Sequence, residues 1–245
     1  MRIVACYKPF KPESDIHRAL PFDWIGALRM LSESAEAKSG LKVYALTDET
    51  TTVPVPAFRY ASRETRLMLW ILDVWAQYLA SDDFYDDTIL LSPDMLVLDD
   101  LRRHVQPADL GILLRTNEKF SEVMPLLNGV QFWRHSGKSE LATFFRMVHA
   151  RAAKMPETLV RWGADTQAMV DLLEPLRVGY SYRHGLKVYG YDASSILRPL
   201  RAVDVRRMES GKPPKPMTEP ILDFRAMRKD HMARYYATYC HGVAA

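Results

Sequence analysis

Two kinds of apolar run alternate along the first half of the chain: short runs typical of buried strands and longer runs with helical periodicity. The short runs are residues 2–7, 41–48 and 88–91, and the longer ones are residues 20–38 and 63–80. Gly40 follows the first long run, as expected just past the end of a helix. Strand–helix–strand order implies right-handed crossovers and parallel strand pairs. The pattern therefore predicts an α/β fold with a largely parallel sheet.

The second half of the chain has a more mixed pattern. Strands are predicted at 109–114, 125–133, 178–182, 186–191 and 220–224, and helices at 138–154, 166–173 and 228–239. Asp165 directly precedes the second of these helices and is predicted to cap its N-terminus. The polar segment 203–218, which is rich in proline and basic residues, is predicted to be a linker or surface loop.

Composition and charge narrow the class of protein. The 245 residues are 48% hydrophobic and 26% charged, which is ordinary for a soluble globular protein with a full core. The two cysteines do not form a disulfide framework or a zinc spacing, and the N-terminus turns polar too soon for a signal peptide. A cytoplasmic protein is therefore expected. The net charge of +3 is compatible with an anionic ligand but does not by itself indicate nucleic-acid binding.

The stretch 86–101 contains the first candidate functional residue. A short apolar run, 88–91, is followed by Ser92-Pro93-Asp94 and then by a second apolar run. Asp94 thus stands at the carboxyl end of a buried strand, where open α/β sheets bind ligands. A Ser-Pro-Asp sequence is also an ordinary turn. On these residues alone, a ligand site and a plain strand–turn–strand are equally good interpretations.

Four segments, taken in order, decide between them by resemblance to a known family. They are the strand-end segment 90–101, an Asn-Gly turn before a strand at 127–132, an Asp-x-Gln at the start of a helix at 163–169, and a spaced motif ending in lysine at 223–229. Together they resemble the GT-A type nucleotide-sugar glycosyltransferases, most closely glycosyltransferase family 8. The sequence departs from the family pattern at four places: Ser92 replaces the first acid of the Asp-x-Asp motif, Asp223 replaces a histidine, Ala226 replaces a glycine, and one extra residue separates Asp165 from Gln167.

The resemblance implies a fold and a domain organisation. It implies a GT-A fold, with a Rossmann-like, mixed and mostly parallel central sheet flanked by helices. It also implies a single glycosyltransferase domain over residues 1–245, with a nucleotide-binding half over 1–115. The acceptor and catalytic half would then cover 116–245 and end in a helix.

The resemblance further implies a metal ion at the strand-end acid. Departure of a nucleoside diphosphate builds negative charge that a divalent cation can neutralise. Asp94 is the first expected ligand of Mn²⁺ or Mg²⁺, Asp223 the second, and Ser92 a weak third. Carboxylates suit these hard cations. The competing interpretation of Asp223 is an unrelated acid at a strand end.

The remaining site residues fall into two groups. Asp48 ends a predicted strand and could accept a hydrogen bond from a ribose hydroxyl. By resemblance, the predicted nucleotide and diphosphate contacts are Tyr7, Pro9, Asp48, Arg66, Arg228 and Lys229. By the same resemblance, the predicted catalytic contacts near the sugar are Asn128, Asp165 and Gln167. The competing interpretations are a helix cap for Asp165 and a solvated helix face for Lys229.

The expected function is metal-assisted transfer of a sugar from a nucleotide-diphosphate sugar, with UDP as the expected nucleotide, to an acceptor hydroxyl. One alternative is a nucleotide-sugar-binding protein that is inactive or needs no metal, which the changes at Ser92 and Asp223 suggest. The acceptor is expected to be a glycan. The basic segment 198–215 suggests a second acceptor, a hydroxymethylated base in phage-type DNA, although a solvated loop is the favoured interpretation of that segment.

Overall fold

The computed structural model describes residues 1–9, 22–116, 124–160, 163–215, 217–224 and 226–240. Its strands are β1 Arg2–Cys6, β2 Val43–Thr47, β3 Ala57–Arg59, β4 Thr88–Leu91, β5 Met95–Val97, β6 Leu110–Leu114, β7 Leu126–Trp133, β8 Gly179–Arg183, β9 Leu186–Asp192, β10 Leu197–Pro199 and β11 Ile221–Asp223. Its α-helices are α1 Trp24–Ser39, α2 Leu67–Ala80, α3 Lys138–Ala152, α4 Glu157–Val160, α5 Ala164–Leu173, α6 Ala193–Ile196, α7 Ala202–Glu209 and α8 Met232–Tyr235.

An eight-stranded sheet in the order β3-β2-β1-β4-β7-β6-β9-β8 forms the centre of the molecule. The pairings make β3, β2, β1, β4, β6 and β9 point one way, while β7 and β8 run against them. The predicted mixed, mostly parallel sheet flanked by helices is confirmed. Because β1 leads through α1 to β2 on one side, while β4 adds on the other side, the strand order reverses between β1 and β4. In open α/β sheets ligands bind at the carboxyl ends of the strands at such a switch point.

The neighbouring strands β1 and β4 are buried on both faces, which explains why their sequences read as continuous apolar runs. Ile3 and Ile89 pack in the core that contains α1, whereas Val4 and Leu90 pack in the core that contains α2, α3 and α5. Successive side chains of a strand point to opposite faces, so the helices on both faces of the sheet pack against side chains of the same two short strands. Helix α1 ends as predicted at Gly40, which has a left-handed φ of 62°.

A second, three-stranded sheet in the order β10-β11-β5 lies beside the first and extends the carboxyl end of β4. Its antiparallel β11–β5 pair matches Asp223 with Met95, and the backbone N–H of Phe224 donates to the carbonyl of Asp94 at 3.0 Å. Phe224, Leu96 and Met232 pack together in a third core beneath this sheet. The small sheet therefore brings Asp94 and Asp223, 129 residues apart in sequence, to one place.

Two predictions about helices are wrong. The segment predicted as a loop at 203–218 contains α7, because the buried Asp204 carboxylate accepts from the Arg201 N–H at 3.1 Å and because Met208 packs in the third core. Helix α5 begins at Ala164, so Asp165 lies in its first turn and is not its cap. Gly163, with a φ of 91°, makes the turn that starts this helix earlier than predicted.

The closing segment is helical as predicted but irregular, with a 3-10 turn at Ala226–His231, one α-helical turn in α8 and a π-turn at Tyr236–Cys240. Within the described ranges, no helix combines the length and the apolar character needed to cross a membrane.

Candidate functional site

A cavity of about 620 Å³ opens at the carboxyl ends of β1 and β4, where the strand order of the large sheet reverses. Eight of the residues singled out in the sequence line it: Tyr7, Pro9, Ser92, Asp94, Asn128, Asp165, Asp223 and Lys229. They come from both sheets, from α5 and from the 3-10 turn Ala226–His231. The fold thus gathers five distant sequence segments around one space of a size typical for ligands.

Asp94 and Lys229 form an ion pair in the wall of this cavity. The distance from Lys229 Nζ to Asp94 Oδ2 is 3.1 Å, and each side chain is 13% exposed. The ammonium also lies 4.0 Å from the centre of the Trp24 ring and 5.5 Å from that of Phe22, which adds cation–π attraction. Trp24 can lie there because it is the first residue of α1, whose start is capped by the Asp23 carboxylate. Lys229 is therefore held at the strand-end acid from two sides.

Ser92 and Asp223 border Asp94. The Ser92 N–H donates to the carbonyl of Gly129 at 2.9 Å, and a Cβ placed on Gly129 would come within 2.9 Å of Ser92 Oγ. The absence of a side chain at Gly129 therefore lets β4 and β7 approach closely at the site. Asp223 is 3% exposed.

The donor set can be tested against the divalent ion that the resemblance implies. Among the described residues, no group of three or more His, Cys, Asp or Glu side chains is placed to hold a metal ion. Near the end of β4 the cavity wall instead offers two carboxylates, of Asp94 and Asp223, and the Ser92 hydroxyl. Mg²⁺ is commonly held by one or two carboxylates together with substrate phosphates and water. The residues fit an ion that is bound jointly with a diphosphate, and they do not form a complete cage.

Asn128 and Asp165 form a second polar pair, on the side of the cavity made by β7 and α5. The Asn128 side-chain N–H donates to Asp165 Oδ2 at 2.6 Å, and both residues are buried. Burial raises the pKa of Asp165 above its ordinary value, and the bond from Asn128 partly opposes that rise. The two residues predicted to lie near the sugar are thus in direct contact.

The Asp48 carboxylate forms hydrogen bonds and an ion pair with neighbouring residues of the protein. Its carboxylate accepts from the backbone N–H groups of Thr50 and Thr51 and forms a 3.3 Å ion pair with Lys8. Burial of the carboxyl would raise its pKa, but these hydrogen bonds outweigh burial and lower the pKa to about 2. Asp48 does not line the cavity, whereas Lys8 does, 5.5 Å from the Trp70 ring centre.

Three further residues that were predicted to contact the substrate, Arg66, Gln167 and Arg228, do not line the cavity. Arg66 precedes α2 and forms a 3.2 Å ion pair with Glu157. The Gln167 side chain donates to Asp171 at 2.8 Å, and Arg228 donates to the carbonyl of Leu200 at 2.6 Å. The roles assigned to these three residues stay predictions.

Several lining residues were not singled out as ligand contacts. They are the basic side chains Lys8 and Arg115 and an apolar wall that includes Leu67, Met68, Trp70, Ile71 and Trp75. Helix α2 has the apolar pattern that is typical of a core helix, and most of its buried side chains do pack in the core. Its pattern could not show that one end of the same apolar face borders a cavity. The sequence offered one signal for Lys8, because this residue directly follows the end of the strand predicted at 2–7, where α/β sheets bind ligands.

Some basic side chains of the segment 198–215 are bonded to groups within the protein. Arg198 donates to both carboxylate oxygens of Asp204 at 2.9 Å, and both side chains are buried. Arg207 donates to the carbonyl of Pro213 at 2.7 Å. The charge of Arg198 is therefore compensated inside the protein, which leaves less of this segment available to a polyanion.

Comparison with known proteins supports the fold. No protein-family model matches the chain, and no curated protein sequence matches it. Among solved structures, a glycosyltransferase involved in the glycosylation of the major capsid of PBCV-1 is similar, with a TM-score of 0.56 and 13% identity over 95% of this chain and 98% of that chain. The glycosyltransferase GlyE of Streptococcus pneumoniae TIGR4 gives a TM-score of 0.54 with 11% identity, over 96% of this chain and 60% of that chain. The apo form of GlyE gives 0.57 with 12% identity, over 96% of this chain and 59% of that chain.

These likenesses, at such low identity, concern the fold. The chain has the GT-A glycosyltransferase fold that the sequence predicted. The chain spans about 60% of the length of GlyE, so GlyE contains further residues that this chain does not match.

Proposed function

We propose that this protein is a glycosyltransferase that moves a sugar from a nucleoside-diphosphate sugar to an acceptor hydroxyl. The observation that carries the proposal is the cavity at the strand switch point, which brings a charged pole and a hydrogen-bonding pole together. The first pole consists of Asp94, Asp223 and Lys229, and the second of Asn128 and Asp165. A nucleoside-diphosphate sugar has the matching parts in the matching order, an anionic diphosphate followed by a ring of hydroxyls.

The nucleotide is proposed to lie near the end of β1, where Tyr7 and Pro9 border the cavity. The aromatic ring of Tyr7 offers a surface for stacking a base. Burial, and to a smaller extent the charge of Asp23, raises the pKa of the Tyr7 hydroxyl, so this group stays protonated and can donate. Uridine diphosphate is the proposed nucleotide because of the resemblance of the four sequence segments to a UDP-sugar-using family.

The diphosphate is proposed to bind at Lys229 together with a divalent ion, Mn²⁺ or Mg²⁺, held by Asp94 and Asp223. Such an ion supplies positive charge that stabilises the departing diphosphate. Lys229 must leave Asp94 Oδ2 before this oxygen can bind an ion, and the diphosphate offers the ammonium another anion at the same end of the cavity. Lys8, just beyond the neighbouring carboxyl end of β1, is a second cation in reach of the cavity.

The sugar is proposed to lie against Asn128 and Asp165. An ionised carboxylate accepts hydrogen bonds from sugar hydroxyls and stabilises positive charge that develops at the anomeric carbon as the diphosphate departs. In the transfer, the bond from the anomeric carbon to the diphosphate oxygen breaks and a bond to the acceptor oxygen forms. The acceptor hydroxyl gives its proton to the departing diphosphate. A glycan is the proposed acceptor class.

The apolar wall formed by α2 has a role in the same reaction. Its side chains exclude water from one side of the cavity, which favours transfer over hydrolysis and strengthens the charge interactions at Lys229.

The test is a screen of sugar nucleotides for hydrolysis and transfer, with and without Mn²⁺, in wild type and in Asp94→Ala. Wild type is expected to turn over at least one sugar nucleotide, and Asp94→Ala to lose at least about 100-fold in rate, as expected for loss of a group that acts on developing charge. Asp99→Ala is the matched control, because Asp99 lies on the same segment but is half-exposed and outside the cavity.

The outcomes separate the alternatives. Turnover that Asp94→Ala leaves unchanged contradicts the assignment of the site. Binding of UDP by the wild-type protein without any turnover favours the alternative of a nucleotide-sugar-binding protein. Turnover that persists after removal of divalent ions favours a metal-independent enzyme, in which Lys229 alone neutralises the diphosphate.

A further inference from the structure

A chain of buried hydrogen bonds runs from the core to the sugar side of the cavity. Trp133 Nε1–H donates to Gln131 Oε1 at 2.8 Å, the Gln131 side-chain N–H donates to Asn128 Oδ1, and the Asn128 side-chain N–H donates to Asp165 Oδ2 at 2.6 Å. Gln131 is fully buried and Trp133 is 1% exposed, while Asn128 and Asp165 reach the cavity wall. Gln131 and Trp133 therefore touch no ligand themselves.

The donor-to-acceptor direction of these three hydrogen bonds is set by Trp133. An indole N–H can only donate, so the oxygen of the Gln131 amide must face Trp133 and its NH₂ group must face Asn128. The oxygen of the Asn128 amide must then face Gln131, and its NH₂ group must face Asp165. An amide side chain alone could point either way, since its oxygen and nitrogen ends have nearly the same shape. The tryptophan at the far end removes that choice.

An irregularity in β7 makes the chain possible. In a regular strand Asn128 and Gln131 would point to opposite faces, because they are an odd number of residues apart. The pairing of β6 with β7 shifts between Ile112, opposite Gln131, and Leu113, opposite Leu127, so residues 128–130 have no partners on β6. Such bulges re-aim side chains and are frequent beside active sites. Here the bulge brings Asn128 to the same side as Gln131.

We infer that Gln131 and Trp133 are positioning residues for recognition of the donor sugar, and that the site selects a sugar with a free hydroxyl that donates to Asp165. This inference rests on the proposed function. With its NH₂ group facing Asp165, Asn128 holds the carboxylate in place, and its own amide oxygen faces Gln131. The acceptors that the pair presents to the cavity are therefore the carboxylate oxygens of Asp165. A sugar that lacks the facing hydroxyl, or carries a substituent on it, cannot satisfy them.

The experiment measures the contribution of the sugar to binding, as the ratio of the dissociation constants of UDP and of UDP-glucose or UDP-galactose by calorimetry. Gln131→Met keeps the volume of the side chain and removes both hydrogen bonds. Gln131→Glu keeps the bond from Trp133 and, in its carboxylate form, cannot donate to Asn128. Both variants are expected to lower the sugar contribution at least about tenfold. This is the magnitude expected when the sugar hydroxyl loses its hydrogen bond to the charged Asp165 carboxylate. The dissociation constant of UDP itself should change less than about twofold, because the charged pole formed by Asp94, Asp223 and Lys229 lies on other elements.

Trp133→Phe provides a milder version that keeps an aromatic ring in the core. It removes only the donor at the start of the chain, so a loss of roughly threefold in the sugar contribution is expected. If Gln131→Met does not fold, Gln131→Glu and Trp133→Phe make the same comparison. An unchanged sugar contribution in a folded Gln131 variant overturns the inference, and so does a loss that is equal for UDP and for the sugar nucleotide. A wild-type protein that binds no UDP, UDP-glucose or UDP-galactose overturns both this inference and the UDP-sugar form of the proposed function.

Discussion

Replacing Lys229 by methionine should strengthen Mn²⁺ binding to the nucleotide-free protein and weaken UDP binding in the presence of Mn²⁺. Methionine keeps an unbranched side chain of similar length against Trp24 but removes the ammonium. In the wild-type protein that ammonium lies 3.1 Å from Asp94 Oδ2, and both side chains are only 13% exposed. A divalent ion must therefore compete with Lys229 for Asp94, whereas in Lys229→Met it does not.

The magnitude follows from the geometry of the pair. Two unit charges 3.1 Å apart attract by about 5 kcal/mol at an effective dielectric constant of about 20. The free-energy cost of desolvating both groups offsets much of this attraction, which leaves a net contribution of the ion pair of about 1–3 kcal/mol. Without nucleotide, Lys229→Met should therefore bind Mn²⁺ roughly 5- to 150-fold more tightly than wild type. With Mn²⁺ present, the same variant should bind UDP at least about tenfold more weakly, since it lacks the charged contact to the diphosphate.

The assay is titration of Mn²⁺ followed by the paramagnetic resonance signal of the free ion, with and without UDP. Lys8→Met is the matched control, because Lys8 also lines the cavity in an ion pair with an acid, Asp48, but does not contact Asp94. Its Mn²⁺ binding without nucleotide should match that of wild type within about twofold. If Lys229→Met binds Mn²⁺ no better than wild type does, the competition for Asp94 is refuted.

Two further predictions concern the edges of the site. Asp48→Asn should abolish a pH-dependent part of the stability: the pKa of Asp48 is lowered to about 2, so its hydrogen bonds stabilise the fold above about pH 4, and that stabilisation is lost as the pH falls toward 2. The free energy of unfolding measured with urea should thus differ between wild type and variant by about 2 kcal/mol at pH 6 and by much less at pH 2, and a difference independent of pH would contradict this cause. Gly129→Ala would place a Cβ 2.9 Å from Ser92 Oγ and 3.0 Å from Met95 Cε, so it should cost about 1–3 kcal/mol of stability and lower turnover. Ser92→Ala in the same chain should restore only part of the lost melting temperature, because the contact with Met95 remains, and complete restoration would show that Ser92 alone is displaced.

Local patterns were sufficient wherever a residue's conformation depends on its near neighbours. The strand at 88–91 lies where it was predicted, because its apolar run is bounded by acids and by Pro93. Helix α1 ends at Gly40 for an equally local reason, the left-handed φ that glycine tolerates. Helix α7 was missed because its stability depends on Asp204, whose partner Arg198 lies outside the helix on β10. No pattern of residues 203–218 contains that information.

The candidate site divides in the same way. The sequence by itself determined which residues stand at strand ends, and a strand end at a switch point of an α/β sheet is where ligands bind. Only the tertiary structure decided which of those residues share a cavity, since the antiparallel pairing of β11 with β5 brings Asp223 to Asp94 and the bulge in β7 turns Asn128 toward Asp165. It also decided that Lys229 holds Asp94 and that Lys8 holds Asp48. Such pairs depend on distances between elements far apart in the chain, which periodicity and spacing do not encode.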